Sequence, residues 1–135
     1  MAEFKIVIGA KEGKCLQKEV KDKEAGVFLN KKIGDKVSGD ECGFPGYEFE
    51  VCGGSDSCGF PMRKDVTGPL RKRILAVKGV GLNMVGRGVR IRKTVCGNTV
   101  SAKTSQINLK VVKEGKEKLQ FPVKAPKEGE APKAQ

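Results

Sequence analysis

Cys52-Gly53-Gly54-Ser55-Asp56-Ser57-Cys58-Gly59-Phe60-Pro61-Met62 is the stretch on which the reading of this chain turns. Glycine loses the most backbone freedom on ordering, and Ser and Asp side chains compete for backbone hydrogen bonds, so the composition predicts a shaped loop in place of a regular helix or strand. Gly53, Gly54, Asp56, Gly59, Phe60 and Pro61 are the expected structural residues of that loop. Immediately before it, Tyr47, Phe49 and Val51 alternate with Glu48, Glu50 and Cys52, the pattern of a half-buried strand with its aromatic face inward. Immediately after it, Gly59-Phe60-Pro61-Met62 returns a large apolar pair to the core, with proline fixing the path.

The loop also divides the charge. Residues 1–62 hold 9 Lys against 11 Asp and Glu, whereas residues 63–113 hold 13 Lys and Arg against Asp65 alone. All six arginines lie in that second block, and the net charge of +11 is concentrated there. A solvated surface without a partner ordinarily mixes signs, and the arginine fork matches phosphate and guanine edges, so the block predicts a polyanionic partner. Arg63, Lys64, Arg71, Lys72, Arg73, Arg87, Arg90, Arg92 and Lys93 are the candidate RNA-binding residues.

Further out, Phe4, Ile6 and Ile8 predict an opening strand, and Leu16 to Val20 a second that pairs with it as a hairpin. Asp22 is a candidate N-cap for one short helix, stopped by Gly34. Leu70 to Val77 reads as a strand. Gly79, Gly81, Gly86 and Gly88 then predict a loose tip that is mobile without a partner, leading into a strand where Arg90, Arg92 and Thr94 oppose Val89, Ile91 and Val95. Gly97-Asn98 marks a turn, and Ile107, Leu109 and Val111 alternate in a last strand. From about Pro122 the composition of Pro, Lys, Glu, Gly and Ala predicts a disordered tail. Short strands with glycine turns at roughly ten-residue spacing give an all-β fold: a small β-barrel of antiparallel strands with one short helix, a single domain over 1–120 and a tail over 121–135. With few aromatics and no tryptophan, the core is expected to be small and aliphatic.

Several chemistries are disfavoured. The chain has no histidine, which removes the usual general base, triad partner and metal ligand. The five cysteines lack the short ligand gaps of zinc sites, and reduced, unpaired thiols are the better reading, so no metal or other cofactor is expected. The glycine stretch could nest a phosphate, yet it lacks the lysine and Ser/Thr of a nucleotide-binding P-loop and does not open a helix. No apolar run approaches the length of a membrane span, so the chain is expected in the cytoplasm with no membrane partner; no small-molecule substrate is expected either.

Gly46-Tyr47, Gly53-Gly54-Ser55-Asp56 with Gly59-Phe60-Pro61-Met62, Arg92-Lys93-Thr94-Val95 with Gly97-Asn98, and Ile107-Asn108-Leu109 with Lys113-Glu114-Gly115 closely resemble, in register from about Phe4 to Gly115, the S6e family of ribosomal proteins. The resemblance implies a β-barrel structural constituent of the small (30S) ribosomal subunit, bound to small-subunit rRNA toward its foot beside neighbouring ribosomal proteins, and supporting translation. It also implies a short archaeal-type member, because eukaryotic members continue into a long basic helix ending in kinase-modified serines that this sequence does not show. The alternative reading, from charge and cysteines alone, is a free-standing basic β-barrel acting as a nucleic-acid chaperone or a cysteine-dependent enzyme.

Overall fold

The computed structural model describes residues 3–83, 86–116 and 118–120. The all-β class holds, and the expected small barrel is present as a curled half-barrel. Strands β1 (Glu3–Gly9), β2 (Cys15–Lys21), β3 (Lys36–Ser38), β4 (Glu48–Asp56) and β7 (Thr104–Lys113) form one sheet in the order β2-β1-β7-β4-β3, which curls into a half-barrel. Strands β5 (Arg71–Ala76) and β6 (Ile91–Cys96) form a separate two-stranded ribbon. The expected strands are all present, with one departure from the antiparallel expectation: β1 lies parallel to β7, Ile6 opposite Ile107 and Ile8 opposite Leu109. Local alternation reveals a strand's faces but not its partner, and here the first strand pairs with both the second and the last.

The alternating apolar positions point inward as read. Phe4, Ile6, Ile8, Tyr47, Phe49, Val51, Ile107, Leu109 and Val111 are all buried. The core is more aromatic than expected: Phe4, Phe28 and Phe49 head the fully buried side chains, with Tyr47 stacked on Phe49 and Phe44 edge-on to it. Six phenylalanines are few, but most of them are spent inside. Helix α1 (Asp22–Gly26) puts Ala25 into this core. Asp22 is not its cap. Lys21 holds that position with no side-chain hydrogen bond, and Asp22 is the first helical residue with φ 47°, a left-handed geometry that aspartate tolerates.

The glycine stretch differs most from its sequence reading. β4 continues through Cys52, Gly53, Gly54 and Ser55 to Asp56, and only Ser57, Cys58 and Gly59 turn the chain. The strand survives because it is irregular: its register against β7 shifts between Val51 and Gly53 and again between Ser55 and Asp56. Gly54 is there for space. A Cβ at that position would overlap the Gln106 carbonyl oxygen of β7. A similar close passage occurs where Gly97 crosses Gly68, whose carbonyl oxygen fills the place of a Gly97 side chain.

Pro61 to Arg63 joins the ribbon to the sheet. Asp56 N–H donates to Phe60 O at 3.0 Å and Met62 N–H to Gly54 O at 3.0 Å, while on the other side Cys96 N–H donates to Pro61 O at 2.9 Å and Arg63 N–H to Cys96 O at 3.1 Å. Met62 is buried in the core, as the apolar pair after the turn predicts. The tail from Phe121 onward lies outside the described residues.

The two adjacent glycines should respond differently to a methyl group. Gly53→Ala has open space around it and is expected to change stability by less than about 1 kcal/mol, whereas Gly54→Ala meets backbone that cannot retreat and should cost at least about 2 kcal/mol. Urea denaturation of both variants measures the difference, and equal midpoints would mean that β4 and β7 part easily here.

Candidate nucleic-acid interface

In the antiparallel ribbon, Arg71 faces Cys96, Arg73 faces Thr94 and Leu75 faces Arg92, while Lys72, Ile74 and Ala76 face Val95, Lys93 and Ile91. Directly opposed residues share a face, so Arg71, Arg73 and Arg92 lie on one side with Leu75, and Lys72 and Lys93 on the other. The first side meets protein at its root, where Arg71 and buried Cys96 reach Asp56; along the rest of the ribbon it is the second side that finds protein: Ala76 and Val95 are buried, and Gly81 lies against Pro61 and Val95. Arg90 and Val89 precede β6, so of the two guanidiniums expected along that strand only Arg92 sits in it.

The nine candidate cations fall into two groups. Arg63 and Arg71 are committed to the fold. The Arg63 side chain is only 11% exposed; Nη1 donates to Val80 O at 2.9 Å and Nη2 to Asp65 Oδ2 at 2.6 Å, so it pins the base of the glycine-rich tip. Arg71 Nε pairs with Asp56 Oδ2, Nη2 donates to Cys58 Sγ at 3.2 Å, and the guanidinium lies 5.2 Å from the centre of the Phe60 ring. Lys72 Nζ donates to Thr67 O at 3.3 Å but remains exposed. Lys64, Arg73, Arg87, Arg90, Arg92 and Lys93 are exposed and make no side-chain bond among the described residues. Lys78, also exposed, adds to them.

The same region bares apolar side chains. Leu70, Leu75, Val77, Val80 and Val89 are the large hydrophobics that the described residues leave exposed, and all lie in or beside the ribbon. The sequence reading missed them because a strand run of Ile, Leu and Val ordinarily signals burial. Met84 and Val85, at the expected mobile tip, lie outside the described residues. The part of the tip nearest β5 is braced: Leu82 N–H donates to Gly79 O at 3.2 Å, and Arg63 holds Val80.

Beneath the ribbon, the Asp56 side chain is 4% exposed and surrounded by donors. Oδ2 accepts from Arg71 Nε and, at 3.3 Å, from Cys96 Sγ; Oδ1 accepts from Ser57 Oγ at 2.8 Å and Cys58 N–H at 3.4 Å. The Arg71 bond, aided by Ser57, Cys96 and Cys58, outweighs burial and holds the carboxyl well below the usual carboxylate range. Burial pushes the Cys96 thiol up to about 11, with the Asp56 hydrogen bond and charge acting in the same direction. Burial likewise raises Cys42 to about 11. Both are protonated thiols at neutral pH, poor nucleophiles and poor metal ligands.

A family model described as Ribosomal protein S6e matches residues 4–123. The chain belongs to the S6e family. Among its relatives, the small ribosomal subunit protein eS6 of Methanoculleus marisnigri is 42% identical over 120 residues, covering 88% of this chain and 91% of that protein. The eS6 proteins of Methanocella arvoryzae and Nitrosopumilus maritimus are 38% and 44% identical, covering 97% and 82% of this chain and 94% and 80% of theirs. The S6e chain thus aligns along 80% to 94% of these archaeal relatives.

In the unfolded chain Asp56 titrates near the ordinary value of about 3.9, and in the fold it titrates lower, so the pair's stabilisation is complete above that pH and is lost as pH falls below it. Asp56→Asn should therefore destabilise the S6e chain near neutrality, with the gap from the native protein closing as pH drops below about 4. Urea midpoints across pH test this; a gap that stays constant into acid would show that the charge does not matter.

Proposed function

We propose that the chain is a structural constituent of the small ribosomal subunit in the cytoplasm, and that it binds small-subunit rRNA through the exposed cations of the β5–β6 ribbon, next to neighbouring ribosomal proteins. The observation that carries this reading is the set of uncommitted charges. Arg73, Arg87, Arg90, Arg92, Lys64 and Lys93 have no protein partner among the described residues, although carboxylates elsewhere on the surface are paired, as in Lys113–Glu48 and Lys21–Glu3. Unpaired arginines on a projecting ribbon suit phosphates, whose counterions are released on contact. The names of the relatives support the small-subunit assignment.

Membership of a ribosomal protein family supports a structural rather than a catalytic role. Residues 1–120 act as the binding body.

The arginines should separate in mutagenesis. Arg73→Ala and Arg92→Ala should leave the denaturation midpoint nearly unchanged, weaken binding to small-subunit rRNA, and reduce the log-log salt slope by about one unit each. Arg71→Ala and Arg63→Ala should lower stability first. Sedimentation of a lysate at moderate salt should carry the native protein with the small subunit. A protein that stays at the top of the gradient, or salt slopes unmoved by Arg73 and Arg92, would overturn the proposal.

A further inference from the structure

Where the ribbon meets the sheet, a cleft of about 270 Å³ opens between Leu70, Arg71 and Cys96 on one side and the turn 99–104 on the other. Its floor is the Asp56 carboxylate, whose oxygens are already occupied by Arg71, Cys96, Ser57 and Cys58. With that charge matched by Arg71, the uncompensated charge at the rim belongs to Lys103, which is exposed and whose side chain makes no bond among the described residues. Thr104 Oγ1 accepts from Ser101 N–H at 3.2 Å and keeps its own proton for another acceptor. The opposite wall is apolar: Leu70 is 63% exposed and Pro69 flanks it.

The cleft also continues the guanidinium face. Arg71 and Cys96 are the first opposed pair of the ribbon, and Arg73 and Arg92 follow on the same side. Alternate strand residues stand about 6.7 Å apart, so these cations form a rail that runs from the cleft toward the tip. Such a volume is small for a drug-sized ligand and suits one planar ring system. A bare phosphate would use Lys103 and leave the apolar wall wet, and stacked bases within a duplex could not reach the wall.

We propose that this cleft receives a single unpaired nucleotide of RNA, its phosphate at Lys103 and its base against Leu70 and Pro69, with the adjoining strand crossing Arg73 and Arg92. This rests on the RNA-binding reading above and adds a preference to it: RNA with a splayed-out base is favoured over a continuous duplex.

Fluorescence titration of the full chain distinguishes the two. The probes are an RNA hairpin carrying one bulged 2-aminopurine and the same hairpin fully paired. The bulged hairpin should bind more tightly and its fluorescence should change on binding. Leu70→Ser and Lys103→Ala, both at exposed positions, should each weaken bulge binding about fivefold, leave the paired hairpin within about twofold, and keep the urea midpoint. Equal affinity for both hairpins with no fluorescence change overturns the cleft assignment while salt-dependent binding to both leaves the ribbon interface standing. No binding to either at low salt overturns both. The same fluorescence change with 2-aminopurine riboside monophosphate alone would assign the cleft to free nucleotides and overturn the RNA assignment.

Discussion

A nearly dry carboxylate holds this molecule together. Asp56 ends β4, and its oxygens take bonds from the turn that follows, from the first residue of β5 and from the last of β6. A buried charge deprived of its partners is costly, so the ribbon cannot swing away from the sheet without exposing Asp56 or leaving it unpaired. The strand-like contacts of Pro61 to Arg63 set the path, and the ion pair fixes the ribbon's first pair of residues against that path. The orientation of every cation farther along the ribbon follows from this joint.

Arginine is consequently used in two ways within one short block. Arg71 and Arg63 spend their forks on two carboxylates, one backbone carbonyl and a thiol, so that their charges organise the protein. Arg73 and Arg92 stand on the same ribbon and engage nothing among the described residues. The distinction is one of position relative to Asp56 and Val80, the first reachable only near the ribbon's root. Beside the open charges, Leu75, Val77, Val80 and Val89 remain uncovered.

Much of this was legible in the sequence, and the failures have physical causes. Strict alternation around Phe49 and Ile107 located the central strands and their buried faces, since period two survives any choice of partner. The parallel pairing of β1 with β7 left no local trace. The glycines at 53 and 54 looked like a loop because their propensity is poor, whereas the structure uses Gly54 to let two backbones approach. The charge block coincides with the ribbon and its flanks, but sequence proximity could not separate Arg71, bonded to Asp56, from Arg73, two residues on and without a side-chain bond among the described residues. Lys103 and Leu70 were passed over for the same reason: the cleft they flank is assembled from segments about thirty residues apart in the chain.

The parallel seam between β1 and β7 bears on how the chain reaches this state. β1 is an interior strand, and one of its two neighbours is made of residues 104–113, close to the far end of the described chain. During synthesis the hairpin of β1 and β2 emerges first, with the apolar face of Phe4, Ile6 and Ile8 still open on one flank, and the whole basic ribbon is made before the closing strand. Such long-range closure makes folding slow relative to chains of local contacts, and leaves an interval before the sheet is complete. The interval is also one in which the cations of the ribbon are already present while the body behind them is unfinished, so polyanions near the site of synthesis meet a nascent chain that is charged before it is compact.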